Sequence, residues 1–284
     1  MANEIREKGM LYLAGTPIGN LEDMTYRAVR LLGEADLIAA EDTRHSRKLM
    51  AHFDIHTPLT SYHEHNKLEK GPELVEKLLS GATIVCISDA GLPGISDPGA
   101  HLAKLAIDAG IPVSPLPGAN AALSALICSG LDTTAFSFYG FLPKTVKKRR
   151  ELLAYIKEKK ETVILYEAPH HLKSTLKDLV SILGPDRKAA VARELTKKFE
   201  EFRRGSLGDM LEYYELNSPK GEFVIIIEGF NGEVSAEYET EADISPGEMV
   251  SKLEQEGMPR KEAMRETAKR LGISRRDVYQ SMLK

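Results

Sequence analysis

Three loops in this chain are rich in Gly, Pro and small residues, and each follows a predicted strand: GTPIGN (15–20), SDAGLPGISDPG (88–99) and LPGANAA (116–122). In parallel α/β sheets, loops at the carboxyl ends of strands line the ligand crevice. Gly and Pro in such loops hold unusual backbone angles and let the main chain approach a ligand closely. Any one of these segments reads equally as a plain turn; three at the same strand end point to a site. Neither G-x-G-x-x-G nor G-x-x-x-x-G-K-[ST] occurs, so an ordinary dinucleotide fold and a P-loop are unsupported.

Groups able to move a proton lie in AEDTRHS (40–46), YHEHN (62–66), LYEAPHH (165–171) and ARELTKKFEE (192–201). They make Asp23, Glu41, Asp42, Glu167, Glu194 and Lys197 candidate bases or charge partners for a weakly acidic nucleophile. Acids beside arginines, Asp42 with Arg44 and Glu194 with Arg193, read equally as structural ion pairs, and Asp97 in SDPG reads as a turn former. His63, His65, His170 and His171 lack the i, i+4 spacing of a helical ligand pair, so no metal is expected. His63, His65 and Asn66 read as framing a substrate or a surface loop.

Two clusters of bases suit phosphate. KTVKKRR (144–150) places Lys144, Lys147, Lys148, Arg149 and Arg150 at a predicted helix start, where the helix dipole disfavours cations. That cost favours a phosphate-facing role over an ordinary solvated face. Arg203 and Arg204, before an expected Gly-Ser turn, extend it. The second cluster is C-terminal: Arg260, Lys261, Lys269, Arg270, Arg275 and Arg276. Residues 247–284 hold nine bases and six acids, a net +3, in a chain of formal charge −4.

The elements that must position these groups alternate. MLYLAG, ADLIAAED, TIVCISD and IPVSPLPG read as strands, with helices over 25–34, PELVEKLLSG and HLAKLAIDAG between them, the pattern of parallel βαβ units. A small-residue helix over 120–130 opens a second unit, in which FSFYGFLP, TVILYEAP, AAVAREL and EFVIIIEGF alternate with TVKKRRELLAYIKE and LKSTLKDLVSILG. Antiparallel pairing can enter there, giving a mixed sheet. NGEVSAEYETEAD (231–243), with five acids and no base, reads as a solvated linker. Ser245 and Glu248 form a capping-box pattern with Pro246 at the first helical position. A Gly272 turn and a helix capped by Ser274 then complete a helix-turn-helix pattern, with Ala268, Leu271, Ile273, Val278 and Leu283 as its shared apolar face. The expected organisation is an α/β domain over 1–118, a second over 119–230, a linker over 231–244 and a helical tail over 245–284.

Taken together and in order, LYLAGTPIGNLEDMTYRA, AEDTRHS, SDAGLPGISDPG, LPGANA, FYGFLP, LYEAPHH and ARELTKKFEE resemble the tetrapyrrole-methylase superfamily of S-adenosylmethionine (SAM) enzymes. AEDTR, YEAPHH and ARELTKKFEE, joined to the C-terminal helices, are similar to its ribosomal RNA branch. The resemblance implies two α/β domains with SAM folded into a cleft between them, and 2′-O-methylation of a cytidine ribose in the decoding region of 16S rRNA, in the small ribosomal subunit. It implies cofactor contacts from Pro17, Asp89, Ala90, Gly91, Ile95, Asn120, Ala121, Glu167 and Leu195. It favours Glu167, Arg193 and Glu194 for catalysis, the bases of KTVKKRR with Arg275 and Arg276 for RNA, and a homodimer. The chain departs from the tetrapyrrole branch at Glu167, where an apolar residue is usual, and at DAGLPG, where a GGDP-like run is usual. The implied chemistry is an in-line displacement, for which alignment alone is worth about 7–11 kcal/mol and a positioned base about 10²–10⁴ in rate.

Composition sets bounds. At 42% hydrophobic and 28% charged, the 284 residues are ordinary globular sequence of about two domains. The near-balanced charge excludes a uniformly basic nucleic-acid coat. Two cysteines without a CxxC spacing predict a reducing compartment and no structural zinc. The charged start, MANEIREK, does not resemble a signal peptide, and no apolar run nears a membrane span; a soluble cytosolic protein is expected. Two other functions fit the loops less well: a methylase of a tetrapyrrole small molecule, and a SAM-sensing DNA-binding regulator.

Overall fold

The computed structural model describes residues 8–95, 97–232, 245–255, 257–271 and 273–282. The chain forms two compact units. One comprises residues 1–125 together with Glu194–Glu200; the other comprises Leu126–Arg193 and residues 201–284.

In the first unit the chain runs through β1 (Met10–Ala14), α1 (Tyr26–Glu34), β2 (Leu37–Ala40), α2 (Thr43–His52), β3 (Leu59–Ser61), α3 (Lys67–Leu79), β4 (Thr83–Ile87), α4 (Gly99–Asp108) and β5 (Val113–Leu116), and leaves through α5 (Ala121–Ile127). The strands form one parallel sheet in the order β3-β2-β4-β1-β5. TIVCI and LIAA are unbroken apolar runs because a parallel sheet is covered on both faces. Ile38, Val85 and Ile87 pack with Ala28, Leu31 and Leu32 of α1, while Ile84 and Cys86 pack with Leu74, Leu78 and Leu102 of α3 and α4. Thr25 starts α1 by accepting the Ala28 N–H at 3.1 Å.

The second unit contains β6 (Phe136–Phe141), α6 (Val146–Lys157), β7 (Thr162–Glu167), α7 (Pro169–Leu183), β8 (Lys188–Arg193), β9 (Glu201–Ser206), α8 (Leu207–Leu216) and β10 (Phe223–Ile227). Its sheet runs β6-β7-β10-β8-β9. Only the β6–β7 pair is parallel; β10 is antiparallel to both neighbours, as is β9 to β8. Leu153, Leu172, Leu176, Leu179, Val191, Ile225 and Ile227 form its core. Three helices follow, α9 (Pro246–Gln255), α10 (Arg260–Leu271) and α11 (Arg275–Ser281), packed around Met249, Val250, Leu253, Ala263, Ala268 and Val278.

The α/β alternation, the mixed second sheet and the C-terminal helices accord with expectation. The Ser245 capping box is formed, its N–H donating to Glu248 Oε2 at 2.8 Å and its Oγ accepting the Glu248 N–H at 3.3 Å. Residues 233–244 of the expected linker, Gly272 and Leu283 lie outside the described residues. Four elements were not anticipated. β3 is three residues long, and α2, TRHSRKLMAH, is short of apolar residues, burying Ser46, Leu49 and Met50 on the side opposite its bases. β9, EFRRGS, is a charged edge strand, a composition that guards an exposed edge. The expected Gly-Ser turn after Arg204 is instead the end of β9, and Ser206 caps α8 in a box with Asp209. α3 begins at Lys67 rather than at Pro72, so the proline lies inside the helix, next to Gly71, where a Cβ would lie 2.7 Å from Leu105 Cδ1 of α4.

The Ser274–Asp277 box starts α11. Ser274→Ala should cost about 1 kcal/mol, seen as faster amide exchange in α11 with the two sheets unaffected.

Candidate cofactor and catalytic site

The parallel register brings the chemically interesting loops to one level. Ala14 pairs with both Ile87 and Leu116, Ile87 with Ala40, and Ala40 with Ser61, so all five strands of the first sheet end in step. GTPIGN, AEDTR, YHEHN, SDAGLPG and PGAN therefore emerge side by side at the carboxyl edge, and the three glycine-rich loops leave adjacent strands β4, β1 and β5. A crevice outside that edge is where α/β sheets bind ligands.

The loops are knitted by backbone. Thr16 and Gly91 exchange N–H···O bonds of 2.9 and 3.0 Å, and Thr16 Oγ1 donates to Ser88 O at 3.1 Å. Gly91 holds φ +81, a conformation that glycine adopts without strain. A Cβ on Gly15 would lie 2.9 Å from Gly118 Cα, and one on Gly118 would lie 3.0 Å from Gly15 Cα, so two main chains meet where side chains would normally separate them. Asn120 Oδ1 accepts the Leu123 N–H at 2.8 Å and starts α5 beside Ala121. Pro17 is half-buried, while Ala90 and Ile95 are exposed. Asp97 takes the Gly94 and Gly99 N–H groups at 2.8 and 2.7 Å, the turn-forming role expected of it.

The AED and SDAG loops lock reciprocally. Asp89 N–H donates to Glu41 Oε2 at 3.2 Å, and Asp42 N–H donates to Asp89 Oδ1 at 3.0 Å. Burial raises the Glu41 carboxyl above its ordinary range; the Asp89 N–H works against this, and the charges of Asp89, Asp97 and Asp42 add to the rise. Arg44 holds Asp42 well below the usual carboxylate range through a bidentate contact of 3.1 and 2.7 Å. Next to this pair, Tyr62 is buried with its hydroxyl 2.8 Å from His101 Nδ1, and Asn66 Oδ1 accepts the His63 N–H at 2.8 Å.

Residues 194–200 belong to the first unit, although β8 and β9 on either side of them belong to the second. Glu194 and Thr196 hold left-handed φ values of +49 and +65 without being glycine. Leu195 is buried, and Lys197 lays its stem across Gly19 in GTPIGN while its Nζ sits 2.9 Å from Glu194 Oε1. The sequence motif marked this segment; its backbone strain carries no compositional signal.

In the second unit Glu167 is buried, with Oε1 accepting the Ala168 N–H at 2.8 Å and Oε2 accepting the Thr175 hydroxyl at 2.5 Å. It thereby ties the end of β7 to α7. Arg193 donates to Lys220 O at 2.7 Å and pairs with Glu201 at 3.4 Å. Among the expected RNA contacts, Lys144, Lys147, Lys148, Arg275 and Arg276 are exposed. Arg149 is paired with Asp178 at 2.7 Å, and Arg150 reaches the Arg270 carbonyl of α10 at 3.4 Å. Arg203 lies over the Tyr213 ring and pairs with Glu201, and Arg204 binds Cys128 O. No three His, Cys, Asp or Glu side chains converge as metal ligands among the described residues, and no helix there is long and apolar enough to cross a membrane.

This fold, with its edge of interlocked glycine loops, defines a methylase class. The family described as Tetrapyrrole (Corrin/Porphyrin) Methylases matches residues 10–211, and the chain belongs to it. It is 50% identical to "Ribosomal RNA small subunit methyltransferase I" of Halalkalibacterium halodurans, over 96% of this chain and 94% of that protein. It is 48% identical to the protein of the same name from Bacillus subtilis, with the same coverage. The crystal structure of uroporphyrin-III C-methyltransferase from Thermus thermophilus, complexed with S-adenyl homocysteine, shares the fold at a TM-score of 0.53 and 19% identity, over 77% of this chain and 97% of that one.

Gly15→Ala should lower stability by about 1–3 kcal/mol, the cost of forcing a methyl into a packed contact, read as a fall in Tm. Glu41→Gln keeps an acceptor for the Asp89 N–H but cannot ionise. Because the folded-state Glu41 pKa is raised, its stabilising contribution is present in acid and is lost as pH rises through the raised value. The variant should therefore melt above the wild type at neutral pH, and the advantage should vanish below the usual carboxylate range.

Proposed function

We propose that this chain is a SAM-dependent methyltransferase of small-subunit ribosomal RNA, methylating the 2′-oxygen of a cytidine ribose in the decoding region of 16S rRNA. One observation carries the cofactor assignment: the in-step carboxyl edge, where Gly15, Gly91 and Gly118 leave bare backbone at the ends of three adjacent strands. A Cβ at any of these glycines would clash or strain the chain, so no side chain stands between this edge and a ligand that approaches the main chain closely. Pro17, Asp89, Ala90, Gly91, Ile95, Asn120 and Ala121 would hold SAM there, with Glu167 and Leu195 as further contacts that the family resemblance implies.

Bound SAM supplies a methyl group on a sulfonium, whose positive charge makes the thioether a ready leaving group. The protein's task is mainly alignment. Glu194, next to Lys197, accepts the proton of the attacking hydroxyl. Arg193 and Glu167 act as positioning residues, fixing the ends of β8 and β7 through Glu201, Lys220, Ala168 and Thr175. Lys144, Lys147, Lys148, Arg149, Arg150, Arg275 and Arg276 contribute the positive surface for RNA phosphates, an electrostatic term that weakens steeply with salt. The proposed enzyme works in the cytoplasm, as a homodimer.

The test is methyl transfer from radiolabelled SAM to small ribosomal subunits purified from a strain lacking this protein, followed by mapping of the labelled nucleotide. Labelled 2′-O-methylcytidine in the decoding region is the expected result. SAM binding without label in RNA would overturn the substrate assignment and move the acceptor to a small molecule.

A further inference from the structure

The turn formed by Glu194–Lys197 is built in a costly way. Thr196 is β-branched, and at φ +65 its side chain crowds its own main chain. Its Oγ1 is buried with no hydrogen-bond partner among the described residues. A turn that only needed to reverse the chain would take Gly or Asn at such positions. Three hydrogen bonds keep it wound: Lys197 N–H to Glu194 O at 3.0 Å, Glu200 N–H to Lys197 O at 3.0 Å, and Thr196 N–H to Glu200 Oε2 at 2.6 Å. Their combined effect is to aim one side chain. Lys197 crosses Gly19, which has no room for a Cβ beneath it, and so reaches over the loop that follows β1. The Lys197 side chain is about three-quarters buried, with its ammonium 2.9 Å from Glu194 Oε1. Strain retained in this way is the mark of a functional constraint.

We propose that Lys197 is a further catalytic residue of the methyl transfer, its ammonium facing the acceptor oxygen while Glu194 takes the proton; this rests on the methyltransferase function proposed above. A ribose hydroxyl is a poor nucleophile at neutral pH, and a cation beside it stabilises the negative charge that develops on oxygen. The step balances. The acceptor O–H bond breaks with its proton passing to the Glu194 carboxylate. A pair on oxygen forms the O–C bond to the methyl, and the C–S bond breaks with its electrons remaining on a neutral sulfur. Lys197 keeps its charge throughout.

Three variants of the full chain test this: Lys197→Met, Lys197→Arg and Thr196→Gly. Single-turnover transfer to small subunits is measured alongside SAM affinity by calorimetry without RNA, and Tm. Lys197→Met should lower the transfer rate about 10²-fold or more with SAM affinity and Tm unchanged, and Lys197→Arg should restore part of the loss. Thr196→Gly should melt no lower than the wild type yet transfer more slowly, because relaxing the turn releases the lysine. Loss of SAM affinity in parallel with rate would make Lys197 a prop for the GTPIGN loop and overturn the proposal, as would an unchanged rate. A wild-type protein that methylates no RNA would instead overturn the function on which the proposal rests.

Discussion

The close meeting of the Gly15 and Gly118 backbones is the constraint on which the first unit turns. It exists because β1 lies between β4 and β5 and all three end at one level. Parallel strands cannot be joined by hairpins, so each returns through a helix and presents its next loop at the same edge. Loops leaving neighbouring strands start only about 5 Å apart, and side chains at the first loop position would collide. Glycine at both positions lets the loops close on one another. Thr16 and Gly91 then add a bridge that spends the main-chain polar groups on each other, as buried peptides require.

Around that bare backbone the charges are arranged rather than scattered. Glu41, Asp42 and Asp89 crowd the edge, and each is fixed by a hydrogen bond to a main-chain N–H. Glu41 bears a cost in this arrangement, because burial and the charges of its neighbours oppose its ionisation. Arg44 relieves Asp42. Two further clusters of bases lie elsewhere in the chain, on α6 and the C-terminal helices, where Arg150 joins α6 to the end of α10. A net charge of −4 thus conceals two local populations of opposite sign.

How far this was legible in the sequence differs by element. Apolar runs such as TIVCI and FVIII and amphipathic stretches such as YRAVRLLGE announce themselves, because burial dictates their composition. Ser245 and Ser274 were readable as caps because the box needs particular side chains at particular spacing. β3 and β9 were not: one is too short to show a pattern, and the other is an edge strand whose charges mimic a loop. Among site residues, the Gly/Pro loops were legible as a set and Asp97 as a turn former. The two bonds of Glu167 to Ala168 and Thr175 depend on how α7 folds back on β7, and the pairing of Arg149 with Asp178 on how α6 lies against α7. Tertiary geometry of that kind leaves no local trace. The left-handed Glu194 and Thr196 ran against local preference, and places where local preference fails are where function is to be sought.

An in-line methyl transfer makes particular demands on such a framework. The leaving group is already activated by its charge, so little acid–base power is needed on that side, and three atoms must instead be held in a line. Rigid backbone meets that demand better than flexible side chains, since a peptide fixed by sheet register loses no rotamer freedom on binding. A nucleophile that is a neutral hydroxyl calls for only a small polar group, a cation with a proton acceptor beside it. The first unit offers an edge of main chain locked by glycine contacts and carboxylate caps, with the charged pair Lys197 and Glu194 on a strained turn packed on the GTPIGN loop. Strain at such a turn persists only where the surrounding structure over-determines it, and the parallel sheet of this unit supplies a core buried on both faces.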